Sequence, residues 1–108
     1  MAGEVMEYKA GREFDIIIAR DVMGMGRLYL DLNSDWVPHY STNFNDTQGM
    51  IKYLTVHEGV KFEGDWSDNV WHITCRKQDD DVIRSSSASG DELTFVCCLA
   101  ALRMVNYD

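Results

Sequence analysis

Phe14, Ile17, Ile18 and Val22 recur at three- and four-residue intervals, which gathers their side chains on one face of a helix. Glu13 and Asp15 in the first turn and Arg20 in the last half suit the helix dipole, and Gly24 is the expected stop. "RLYLDL", residues 27–32, predicts a short strand, and the turn-like "NSD" follows it. Pro38 then holds Val37 extended. Ser41, Thr42 and Asn43 are each able to cap a second helix, with Asp46 in its first turn. Phe44, Met50, Ile51, Tyr53 and Leu54 make that helix's apolar side, and Gly59 ends it.

Beyond Gly59 the period shortens to two. "VKFEG" and "NVWHITCRK" alternate around "DWSDN" and predict a hairpin. "QDDD" marks a second turn into "VIRSSSAS", whose small side chains suit an edge or a surface closely covered by a helix. "DELTFVCCLAALRMV", capped by Asp91 or Ser89, is apolar almost all round and so calls for burial on more than one side. Residues 1–9 show no period and read as a loosely ordered lead-in.

The expected fold is therefore α+β: a small three-layer helix–sheet–helix sandwich with three helices and a mainly antiparallel sheet of three to four strands, helices on both faces being one way to cover every apolar stripe. At 108 residues the chain reads as a single domain over 1–108. Neither its opening residues nor its longest uncharged apolar stretch, "LTFVCCLAAL", has the length of a signal sequence or a membrane span. Cys75, Cys97 and Cys98 are an odd number and form no disulfide framework, which suits a reducing cytoplasm. Eighteen acidic residues against ten basic ones leave a formal charge of -8, which repels phosphate polymers and argues against direct nucleic-acid binding.

Four segments in order, "GREFDIIIARDVMG", "WVPHYST", "SSSAS" and "CCLAAL", resemble the small ABA-sandwich domain of phages and integrated prophages. The chain departs from that pattern at Met25, where an aromatic is usual, and at Asn43, where an acid is usual. The resemblance implies the three-layer sandwich, a phage origin and a place in the cytoplasm of an infected bacterial host. It implies no activity, catalytic residue or cofactor.

The candidate chemistry is sparse. His39 and Ser41 lack both a glycine-flanked nucleophile elbow and an acid placed to orient the histidine, so a capping hydroxyl beside a surface histidine is the favoured reading. His72 and Cys75, three apart on a strand, leave opposite faces, and Cys97 and Cys98 diverge around a helix, so no metal or cofactor is expected. Asp79, Asp80 and Asp81 lack the alternating ligands of a calcium loop. Together with Asp65, Asp68, Asp91 and Glu92 they predict an acidic, protein-facing edge. The lead into the second helix offers Trp36 and Tyr40 to stack a base and Thr42 and Asn43 to meet a phosphate, with His39, Ser41 and Arg27 alongside; the competing reading makes these residues staples and caps.

Two functions follow. The first is a non-enzymatic phage accessory protein that inhibits a host defence protein through its acidic surface. The second is a sponge for a nucleotide or cyclic-nucleotide signal at residues 36–43, acting as a homo-oligomer because one small domain encloses little volume.

Overall fold

A computed structural model describes residues 8–26 and 34–105. The expected strand at 27–32, and Arg27 with it, lie outside the described residues.

The first helix, α1 (Arg12–Ile17), runs straight into a π-helical turn (Ile18–Val22), and Gly24 follows at a φ of 74°, a left-handed position that glycine adopts without strain. A single 3₁₀ turn (Ser34–Trp36) precedes Pro38. Helix α2 (Phe44–Glu58) begins where Asn43 Oδ1 accepts the Asp46 N–H at 3.1 Å, and it ends at Gly59, left-handed with a φ of 70°. Its buried stripe is Thr47, Met50 and Leu54, with Ile51 and Tyr53 beside it. Phe44 departs from the apolar side expected of it: as the first helical residue it projects beyond that stripe and is half exposed.

Strands β1 (Val60–Ser67), β2 (Val70–Asp79) and β3 (Val82–Gly90) form one antiparallel sheet in the order β1-β2-β3. The strands run further into both turns than the sequence pattern indicates. Only Asp68 and Asn69 remain between β1 and β2, both with positive φ (55° and 66°), as a two-residue hairpin turn that matches strand twist requires. Asp80 and Asp81 close the second hairpin, with Asp80 at a φ of 57°.

Helix α3 (Leu93–Val105) starts two residues after Asp91; Ser89, the other expected cap, is instead paired with His72 inside the sheet. Val96, Cys97, Cys98, Ala100, Ala101, Leu102 and Met104 are buried, which makes α3 the central helix that its all-round apolar character predicts. Small residues let it lie close to β3: Ser86 Oγ donates to the Ala100 carbonyl at 2.7 Å, and a Cβ built on Gly90 would come within 2.9 Å of Val96 Cγ2.

The fold is thus α+β, with three helices and a three-stranded antiparallel sheet. Val60, Ile73, Cys75 and Ala88 turn one face of the sheet to the core. The expected helix–sheet–helix layering is corrected in one respect: among the described residues the helices gather on this one face. The opposite face carries Lys61, Glu63, Asp65, Arg76, Ser85, Ser87 and Ser89, all exposed, and has no apolar stripe that needs covering.

Candidate functional site

Ser41 is the point at which the helices meet. Gly11, just ahead of α1, donates its N–H to Ser41 Oγ at 2.9 Å, while Thr94 in the first turn of α3 donates its hydroxyl to the Ser41 carbonyl at 2.8 Å. The cap of α2 follows two residues later, so all three helices start at this end of the molecule, and their N-terminal partial charges converge. The buried carboxylate of Asp15 answers them. Its Oδ1 accepts the Ser41 N–H at 2.8 Å and the Ser41 hydroxyl at 2.7 Å, and its Oδ2 lies 3.3 Å from an Arg12 nitrogen that also donates to the Val37 carbonyl at 2.9 Å.

Sequence reasoning placed no acid near His39; the fold brings Asp15 there, with Oδ2 3.8 Å from His39 Nδ1. The order of contacts nevertheless differs from a catalytic relay. Asp15 bonds the serine directly, the histidine stands on the far side of the carboxylate beside Arg12, and Ser41 has no exposed surface from which to attack a substrate.

The same contacts correct the expected ligand pocket at 36–43. Tyr40 is only 4% exposed, its carbonyl accepts from the Thr47 hydroxyl at 2.6 Å and the Cys98 thiol at 3.1 Å, and Trp36 is 79% exposed, so the two rings offer no shared stacking slot. Ser41 is enclosed, Asn43 is occupied as the cap, and Asp46 Oδ2 accepts the His39 N–H at 2.8 Å. His39 and Thr42 remain exposed, and the groups that meet the His39 ring are Arg12 and Asp15, which are engaged in holding the helix starts together. The stretch begins a helix.

The predicted acidic edge is also corrected, because it divides in two. Successive hairpins of a three-stranded meander turn at opposite ends, so Asp68 lies at one end of the ten-residue β2, and Asp79, Asp80 and Asp81 lie at the other, about 30 Å away at strand rise. Asp65, Asp68, Asp91 and Glu92 stay together, since Gly90 pairs with Trp71 and Trp71 with Trp66 beside the first turn.

That end also holds what the sequence pattern did not single out. Trp66 and Trp71 face each other across β1 and β2 with ring centroids 5.2 Å apart, edge to face. They form the pair next to the two-residue turn, where the ladder does not hydrogen-bond and side chains approach most closely. The α2 helix covers the start of β1, yet every residue from Glu63 to Ser67 is exposed, including half of Trp66. On the open face a shallow depression of about 270 Å³ is lined by Glu63, Gly64, Asp65 and His72. The signal available in the sequence was a tryptophan on each side of the turn dipeptide, "WSDNVW".

At the opposite end, where the helices finish, Asp21, Glu58, Lys77, Arg84 and Met104 line a cleft of about 320 Å³. Lys77 Nζ lies 3.3 Å from Glu58, and Arg20 holds Asp21 at 2.8 Å, which keeps the Asp21 carboxyl below its usual range. Cations beside three helix C-termini are electrostatically well placed, so these groups are accounted for by the fold.

The cysteines are buried as filling. Loss of solvation pushes the Cys75 thiol up to about 12 and Cys97 to about 11, and raises Cys98 further, so none is a thiolate at neutral pH. His72 and Cys75 leave opposite faces of β2 as expected, and His72 Nδ1 meets Ser89 Oγ at 3.0 Å. Among the described residues no three His, Cys, Asp or Glu side chains converge as metal ligands, and no helix is long and apolar enough to cross a membrane.

No protein-family model, curated protein or solved structure matches the chain.

Proposed function

We propose that this chain is a non-enzymatic binding protein that engages a basic protein partner with the end of its sheet bearing Trp66, Asp65, Asp68, Asp91 and Glu92. The observation that carries the reading is the half-exposed Trp66 set among carboxylates that take no part in holding the core. Tryptophan supplies a rigid apolar anchor and a cation-binding ring face, and the surrounding acids attract lysine and arginine from a distance. A net charge of -8 extends that attraction over the whole molecule. The resemblance to phage and prophage domains supplies the setting: an accessory protein that occupies the basic surface of a bacterial defence component in the infected host's cytoplasm and so inhibits it.

The test is affinity capture from host extract at rising ionic strength. Raising salt from about 0.05 M to about 0.5 M shortens the screening length severalfold and releases a partner held by charge steering. Retention of the partner in high salt, or equal capture by Trp66→Ala and by Asp65→Asn with Asp68→Asn, overturns the reading.

A further inference from the structure

The geometry points to a mode of docking: we infer that the partner adds an extended, basic segment as a fourth strand along the outer edge of β1, from Phe62 to Trp66. This rests on the proposed role of the acidic end and names the chemistry and conformation of what binds there. In a two-residue hairpin the flanking residues exchange both ladder hydrogen bonds, so Ser67 and, by alternation, Asp65, Glu63 and Lys61 direct their backbone groups to β2. Phe62, Gly64 and Trp66 therefore direct theirs away from the sheet, on an edge that has no neighbouring strand among the described residues.

The two edges of the sheet are not equivalent. On β3 the outward Ser87 carbonyl already accepts from Arg103 at 2.7 Å, so a side chain of α3 guards that edge. On β1, residues 63–67 are exposed, and the side chain of Ile73 lies over Gly64 where a Cβ would be only 2.5 Å from Ile73 Cδ1. Glycine at 64 is thus what lets Ile73 pack across β1.

Charge selects the occupant. Glu63 and Asp65 sit two apart on the open face, flanking the depression they share with Gly64 and His72; Arg76 already holds Glu63 at 3.2 Å across the strands, so the charge that a strand laid beside this edge meets is chiefly that of Asp65 towards the turn. A lysine or arginine beside Asp65 meets that charge, a second two positions away shares Glu63 with Arg76, and a residue pointing to the other face reaches the ring of Trp66. Two copies of this chain paired through β1 would instead set Glu63 and Asp65 against the same acids, which disfavours self-association through this edge.

The test uses the full chain and a capped peptide as long as β1, eight residues, alternating arginine and threonine. The inference expects saturable binding and slowed amide exchange at Phe62, Gly64 and Trp66, with N-methylation of every second peptide nitrogen, in one of its two phases, weakening binding roughly tenfold or more. Glu63→Gln with Asp65→Asn weakens it similarly, whereas Asp80→Asn with Asp81→Asn leaves it unchanged; urea midpoints of the variants verify that each is folded. Parent-like binding of both N-methylated peptides, or unchanged exchange at those three amides in the saturated complex, overturns strand addition and leaves the role of the acidic end standing. Failure of the peptide to bind while host capture still depends on Trp66 likewise overturns strand addition alone, and failure of both overturns both.

Discussion

Two polar regions lie at the same end of this molecule and have opposite fates. Around Ser41 and Asp15, hydroxyl and carboxylate are enclosed where three helices begin, with the Arg12 guanidinium at their rim, and nearly every donor is matched with an acceptor within the chain. Around Trp66, carboxylates and an indole project into solvent from a hairpin whose backbone edge points outward. Buried polar groups without partners are expensive, so the first region must be satisfied internally before the chain can fold. The second is surrounded by water and has no such obligation, which leaves it available to another molecule. A cluster of functional-looking side chains in sequence therefore says little until its burial is known.

The sharpest way to break this comparison is to treat both regions alike. Asp15→Ala leaves the buried Ser41 N–H without its acceptor and takes the carboxylate away from the Ser41 hydroxyl and Arg12, and a loss of about 3–5 kcal/mol in urea unfolding is expected. Trp66→Ala is expected to lose less than about 1.5 kcal/mol because half its surface is already in water, while weakening partner binding by roughly tenfold or more. If the two substitutions destabilise equally, the indole belongs to the core and the contrast fails. Removing the α2 cap with Asn43→Ala is expected to cost about 1 kcal/mol and to leave binding intact.

Smaller effects sharpen the picture further. Iodoacetamide at about pH 8 should modify none of the three cysteines in the folded protein and all three in denaturant, because burial raises each thiol and blocks access. Rapid native labelling of Cys97 would mean that α3 is less enclosed than its packing indicates. The smallest effect concerns Asp21. Its folded value is depressed by Arg20, so its stabilising contribution is present above the ordinary carboxylate value of about 3.9 and is lost as pH falls through the lower folded value. For an exposed neighbouring pair the amount is at most about 1 kcal/mol, measured as the difference between wild type and Asp21→Asn in urea at about pH 6 and about pH 3.

Much of the fold was legible in the chain, for local reasons. The helix over Arg12–Val22, a cap among Ser41, Thr42 and Asn43, the stop at Gly59 and both hairpins all followed from residues within a few positions of one another. Helix α3 announced its central place by being apolar all round. The candidate site was far less legible. Tyr40 and Ser41 resemble binding residues in sequence because the side chains that cap helices and satisfy buried carboxylates are those that hold ligands. The seven acids counted as one edge are divided by chain reversal, which a linear pattern does not register. Trp66 and Trp71 carry no exposure signal, since a period-two strand places alternate residues on one face without saying how far a helix will cover it.

Periodicity, capping residues and turn dipeptides were enough to set the three helices and the meander, because each depends on interactions that close within one turn or one hairpin. Three matters were left to contacts between distant parts of the chain: the meeting of Asp15 with Ser41 across 26 residues, the side of the sheet on which the helices gather, and the exposure of Trp66 beside the acids. Such contacts form only when separate elements bury one another, and burial alone separates a polar side chain that holds the fold from one that faces a partner.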